Sequence, residues 1–348
     1  MLTRLRLTSA SRAQDAGYLA LADVADLTSR LNIDNRVVGG HLVSLLVAAY
    51  QAEEAPSRET ADADIGATID VFADARLLPS ILDHGYRAVA GNRFVRQAAG
   101  GQDLVIDLLA PSYTTRHAPN RHHGAFVVDE VPGLGLALSM DPLVLTLDVG
   151  LHAGRRLTFD ARVPAPVPAL AVKALAYRSR LAAKDAVDVW RLLEVASLAG
   201  VTASDWEHPG TRVDARRVVS DYFGRRNASG TRAATAHPGL RTRIAFMAQT
   251  HVGSSPDRPS CPSIRAFRTS ADDSRSAPGS SPITSVPARA SVPQRTNGRP
   301  EIGNLEDICD QELIHEPSLA VADGWRRFCR GLSELICVTN DVGRRVGR

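Results

Sequence analysis

The segment RETADADIG, residues 58–66, sets two aspartates, Asp62 and Asp64, two positions apart beside small apolar neighbours. On a strand, alternate side chains share a face, so both carboxylates point the same way. A third acid, Asp107, stands inside the apolar run DLVIDLLAP, residues 103–111. There an ionised carboxylate is costly unless it meets a cation. Three hard oxygen donors on neighbouring strands suit Mg2+, which binds through few carboxylates and fills its shell with water and substrate phosphates. A D-x-D pair alone is a weak signal, because exposed strands and turns often carry one; the third acid strengthens it. Upstream, Gly39 and Gly40 lie between a short strand and a helix, where missing side chains let a phosphate approach backbone N–H groups at the helix N-terminus. A plain tight turn explains the glycine pair equally well. Arg58 and Thr60 keep the same period of two and offer a cation and a hydroxyl on the carboxylate face, although a solvated edge accounts for them too.

Cations of one kind are scarce. Of the 41 Lys and Arg residues only Lys173 and Lys184 are lysine. In one continuous helix Lys173, Arg180 and Lys184 fall within about 20° of a common stripe at 100° per residue. A compact, rotatable ammonium is suited to a phosphate group. The plain alternative is a surface pair between Lys184 and Asp188, worth ~0.3–0.5 kcal/mol.

The elements that must position these groups follow from periodicity. Helical spacing over 16–31 is followed by a short strand, the Gly-Gly turn and a second helix. Strand-like stretches occupy 64–72, 92–96, 103–109, 143–149 and 156–163, with a helix near 75–84. The proline-spaced VPAPVPA, 163–169, separates these from the strongest helical pattern, 170–198. The expected architecture is a mixed α/β (α+β) fold: a sheet flanked by helices over 1–165, a mainly helical domain over 166–250, a disordered segment over 251–303 and a short helical end over 304–348. The third of these has 11 Ser, 8 Pro and 7 Arg between 251 and 300, too polar to offset its ordering entropy. All four cysteines lie beyond residue 260, so no disulfide framework or thiol chemistry serves the first three-quarters of the chain. No apolar run is long enough for a membrane span and no signal-like segment opens the chain, so a cytoplasmic protein without a membrane partner is expected. Adjacent His122 and His123 in RHHGAF face opposite ways on a strand, and a solvated loop is expected there rather than a metal site. There is no G-x-S-x-G, and GLGLAL at 133–138 lacks the third glycine of a dinucleotide fingerprint.

The series VVGGHLVSLL, RETADADIG and VIDLL resembles the nucleotidyltransferase superfamily of polymerase-β type, with a glycine pair opening a helix, R-x-T-x-D-x-D and a later strand acid. The segment LAVKALAYRSRLAAKDAVDVWRLL is similar to the K-x6-R and K/R-D-x-x-D helical motifs of AbiEii-type toxin nucleotidyltransferases. The resemblance covers roughly residues 20–250. It implies that Gly39 and Gly40 hold an NTP triphosphate, with Arg58 and Thr60 beside it, and that Asp62, Asp64 and Asp107 bind Mg2+ or Mn2+. It implies further that Lys173 contacts the phosphates and that Asp185 and Asp188 belong to the last motif. His41 departs from the small or apolar residue usual at its place. The implied reaction moves an NMP to an acceptor hydroxyl with release of pyrophosphate. For AbiEii-like toxins the acceptor would be RNA, tRNA in particular, and a cognate antitoxin would be a partner; yet aromatics are 5% of the chain, no dense basic patch is visible, and a small-molecule or protein hydroxyl stays open. Two rivals share the carboxylates: a D-x-D glycosyltransferase, which leaves the Gly-Gly turn and the cationic stripe unexplained, and a catalytically silent binding module.

Overall fold

The computed structural model describes residues 3–253. All of them lie in the first of two units into which the chain divides at residue 267. The expected disordered segment and helical end, from residue 254 onward, lie outside the described residues.

The first half alternates strands and helices. In order they are β1 (Thr3–Thr8), α1 (Arg12–Leu31), β2 (Arg36–Val37), α2 (Gly39–Ala49), β3 (Asp62–Gly66), α3 (Ile69–Phe72), α4 (Leu77–Asp83), β4 (Arg87–Ala90) and β5 (Arg93–Gln97). Then come β6 (Asp103–Ser112), β7 (Ala118–His123), β8 (Phe126–Pro132), α5 (Leu134–Ser139), β9 (Leu143–Gly150) and β10 (Arg156–Val163). The rest is helical: α6 (Pro166–Arg180), α7 (Ala183–Leu198), α8 (Thr211–Phe223), α9 (Ser229–Ala234) and α10 (Pro238–Met247), with a closing π-turn at Ala248–Val252. The fold is mixed α/β, with sheets flanked by helices.

Two sheets carry the strands. One is β1-β9-β10; the other runs β2-β3-β6-β5-β4, with the β7–β8 hairpin joined to β6 through β8. α1 packs against β3, β6 and β10, and so touches both sheets. It begins where the Ser11 side chain accepts a hydrogen bond from Gln14 N (3.2 Å) and stops at Asn32 in the left-handed region, with Leu21, Val24 and Leu27 buried. β6 is buried along most of its length because helices cover it, which is why DLVIDLLAP reads as a continuous apolar run. α6 starts at Pro166, where a missing N–H costs nothing in the first turn.

Several expectations need correction. The strand expected over 64–72 ends at Gly66, and Ile69–Phe72 turns into a single helical turn after Thr68. The helix expected over 170–198 is two helices, broken where Leu181 takes φ +52°. RHHGAF is a hairpin turn rather than a loop, with Gly124 at φ +59° between β7 and β8. His123 there faces Glu130 (3.0 Å) and His122 is exposed. β1, β4, β7 and β8 are strands that no expectation covered. None of the described helices is long and apolar enough to cross a membrane.

Candidate functional site

A cleft of about 660 Å³ lies between the start of β3 with the segment before it, the middle of β6, the start of α2, and α6 and α7. Gly39, Gly40, Arg58, Thr60, Asp62, Asp64, Asp107, Lys173 and Asp185 all line it, together with Arg93, Arg180 and Lys184. A second, apolar void of about 30 Å³ beneath α1 is much smaller and has no polar groups converging on it from opposite walls. The chemistry-bearing side chains are at the larger cleft.

β3 and β6 run parallel, and their register sets Asp64 opposite Asp107. Asp62 precedes Asp64 by two residues and lies on the same strand face. β5 runs antiparallel to β6 on its other edge and sets Arg93 opposite Asp107. Arg93, Asp107 and Asp64 therefore stand in one row across three strands. Arg93 donates from Nε and Nη2 to the two oxygens of Asp107 (2.9 and 2.7 Å) and from Nη2 to Asp62 (3.1 Å). This is the cation that a carboxylate buried in an apolar run requires. Hydrogen bonding to Asp107 and its charge, with those of Asp62 and Asp64, raise the guanidinium further above its ordinary value, against burial. Asp64 is different. It is only partly accessible, and its carboxyl is pushed up to about 6. Burial is the largest cause; Lys173 pulls it down, Asp107 and Asp62 push it up, and Arg180 pulls it down least.

The glycine pair is shaped to this floor. Gly39 has φ +63°, and a Cβ there would fall inside the Asp64 carboxyl. A Cβ on Gly40 would fall on Oγ1 of Thr60, a buried hydroxyl with no hydrogen-bond partner. Val38 N donates to Asp64 O (2.9 Å), so the turn is pinned to β3. No side chain caps α2, which leaves its first N–H groups without intrahelical partners beside the cleft. Arg58 and Thr60 precede β3 and are not strand residues, contrary to the period-of-two expectation.

Across the cleft, charge is held by a buried acid. Asp188 is fully buried; it accepts from Lys173 Nζ (2.8 Å) and from Arg58 Nη1 (2.7 Å to each oxygen). Lys173 is itself 5% exposed, so its ammonium rests on Asp188 at the cleft wall. Asp185, also buried, accepts from Arg180 through Nε and Nη2 (3.0 and 2.9 Å). Lys184 is exposed, and its expected pairing with Asp188 does not form because Arg58 and Lys173 occupy that acid. The break at Leu181 invalidates the single-helix stripe, yet Lys173, Arg180 and Lys184 still reach one cleft because the second helix turns back onto it.

Three carboxylates face one cleft and are hard oxygen donors of the type a divalent cation takes, and burial is the main cause of the raised proton affinity of Asp64. Among the described residues no three or more His, Cys, Asp or Glu side chains converge as a metal-binding group. Arg93 escaped the sequence reading. Its only sequence signal is an arginine at the start of a strand, and its partner is fixed by register rather than by spacing.

A shallower recess of about 380 Å³ adjoins the cleft through His117, Ser179 and Arg180 and is lined also by Thr115, Arg116 and Arg178. Arg178 Nη2 donates to Thr115 O (2.5 Å), joining two segments some sixty residues apart. Arg116 is exposed, and the same loop carries Tyr113, 79% exposed.

No protein-family model and no curated protein matches the chain. Among known structures, an antigenic nucleotidyltransferase-like protein from Paracoccidioides brasiliensis is similar over 71% of this chain and 97% of its own, at 14% identity and a TM-score of 0.38.

Proposed function

We propose that the cleft moves an NMP from an NTP to an acceptor hydroxyl, with release of pyrophosphate. The observation that carries this reading is the meeting of Asp62 and Asp64 with the uncapped start of α2 at Gly39 and Gly40, where Gly39 leaves room only for the Asp64 carboxyl. The backbone N–H groups at Gly39 and Gly40 bind the triphosphate by the partial positive charge of a helix start, with the Thr60 hydroxyl as a further donor. Asp62 and Asp64 would hold Mg2+ or Mn2+, with Asp107 adjacent. When bound, the cation offsets charge on the phosphates and eases deprotonation of the attacking hydroxyl. Lys173 and Arg58, kept in place by Asp188, face the triphosphate, and Arg180 is kept extended by Asp185. The hydroxyl oxygen bonds to the α-phosphorus, the bond to the bridging oxygen breaks, the proton passes to a cleft carboxylate and pyrophosphate leaves.

The basic recess favours an anionic acceptor, since among the described residues no carboxylate pairs with Arg116 or Arg178. The AbiEii resemblance makes tRNA the first acceptor to try and a cognate antitoxin a partner to seek, in the cytoplasm. The deciding experiment incubates the protein with Mg2+, each α-32P-labelled NTP in turn and total RNA, beside Asp62→Asn. Label is expected to enter RNA with the wild type, and the variant is expected to be slower by about 1,000-fold, the loss of several kcal/mol of charge stabilisation. Release of nucleoside diphosphate from a nucleotide sugar would select the glycosyltransferase. Absence of pyrophosphate with RNA, protein and small-molecule acceptors alike would select a silent binding module.

A further inference from the structure

Arg93 has no part in the mechanism above, yet it donates to two of the three cleft carboxylates. Its place is fixed by the fold. β5 and β6 set it directly opposite Asp107, and β6 and β3 set Asp107 opposite Asp64, so the guanidinium cannot slide along the strand without losing its ladder. The Nε/Nη2 fork engages both oxygens of Asp107, which is the strongest geometry a guanidinium and a carboxylate form. Asp62 gives Arg93 one oxygen and keeps the other; Asp64 makes no hydrogen bond to Arg93. What remains open beside Gly39 is a pair of carboxylates, not three.

Charge counting points the same way. Lys173 and Arg58 share Asp188, and Arg180 is held by Asp185, so these cations are engaged on the opposite wall. The floor carries three carboxylates against one guanidinium, a net charge of −2 that one divalent cation cancels. Two such cations beside Arg93 would leave +2 on the floor, where like charges repel at close range.

We propose that Arg93 stands in for a second metal ion: the chain takes one divalent cation on Asp62 and Asp64, and the guanidinium clamped on Asp107 supplies the neighbouring fixed charge. This rests on the metal-dependent reading of the cleft. Asp107 is then the anchor of Arg93 and not a metal ligand, and the site is selective for a single ion by electrostatics rather than by size. Arg93 is a positioning and specificity-determining residue; it keeps charge at the attack side without any ion exchange.

The test counts Mn2+ bound to the full-length protein by electron paramagnetic resonance of the free ion, with no nucleotide present, for wild type, Arg93→Gln and Arg93→Lys. Circular dichroism of each variant checks the fold. One ion is expected in the wild type, two in Arg93→Gln, where Asp107 is released, and one in Arg93→Lys, which keeps the charge. Two ions in the wild type, or one in a folded Arg93→Gln, would overturn the role given to Arg93 while leaving the transferase reading intact. No ion in any of the three would overturn the single-ion site, and the label-transfer assay with nucleotide present decides the transferase reading separately.

Discussion

Two titratable groups, His41 on α2 and Asp64 against its first residue, respond to pH in opposite senses. His41, 2% exposed, has no partner for Nε2, lies under Gly17, whose Cβ would fall on its ring, and packs near Tyr18 with ring centres 5.4 Å apart. Burial lowers it to about 4. Stability from its neutral form is complete above the unfolded value of about 6.5 and is lost as pH falls toward 4. Asp64, raised to about 6, does the reverse: its contribution is complete below the unfolded value near 3.8 and is lost as pH rises through 6. Between pH 4 and 6 the two slopes cancel in part. Asp64→Asn is therefore expected to raise the unfolding free energy at pH 7.5 by up to roughly 3 kcal/mol for a shift of about two units, and to leave it nearly unchanged near pH 4. His41→Gln should do the opposite, gaining progressively on the wild type as pH falls below about 6.5 and most near pH 4. Urea titrations at pH 4, 5.5 and 7.5 check both; parallel pH curves for Asp64→Asn and wild type would show that the carboxyl is not strained. At this scale the aspartates were legible because a period of two on a strand is a local signal. Arg93 was not, because only the antiparallel register of β5 on β6 brings it to Asp107.

Elements were legible where a period is long and hidden where a single residue breaks it. The apolar stripe over 170–198 contains no Gly or Pro, so nothing marked its interruption. Leu181 breaks it by adopting φ +52° with its side chain 56% exposed, and Leu181 N closes α6 on Tyr177 O (2.6 Å). The left-handed region costs a branched L-residue roughly 1–2 kcal/mol, which α7 offsets by returning Asp185 to Arg180. Leu181→Gly relieves that strain but adds unfolded-state entropy, leaving an expected net gain of about 0.5–1 kcal/mol. Thermal melting should show a Tm rise of about 1–4 °C. A fall in Tm would mean that the exposed leucine packs in solution. β1 was missed for another reason: in TRLRLT the arginines mask an alternation whose half-buried positions are Leu5 and Leu7. β7 was missed because APNRHH is polar and mostly exposed, although Gly124 is there to turn the chain into β8.

At the cleft, the floor carboxylates Asp62, Asp64 and Asp107 come from the sheet-bearing half, and Lys173, Arg180 and Lys184 from the helical half, and the formal charge of +3 conceals that division. Asp188 joins the halves, since its two buried oxygens hold Arg58 from before β3 and Lys173 from α6. The basic recess is built likewise from both: Thr115, Arg116 and His117 from the loop after β6, Arg178 and Arg180 from the end of α6. A patch assembled from segments about sixty residues apart has no signature along the chain, which is why composition argued against a nucleic-acid surface. If the recess carries an anionic strand to the cleft, its two arginines without carboxylate partners supply phosphate contacts and Tyr113 a stacking face. The double variant Arg116→Ala/Arg178→Ala should then weaken binding of single-stranded RNA and make the plot of log affinity against log salt shallower by about 1–2. Binding of NTP should be unchanged, because neither residue faces Gly39 or the aspartates. Fluorescence anisotropy across a salt series measures the first and equilibrium dialysis the second. An unaltered salt slope would remove the recess from the acceptor path, and loss of NTP binding would mean that the Thr115–Arg178 contact holds the cleft itself in shape.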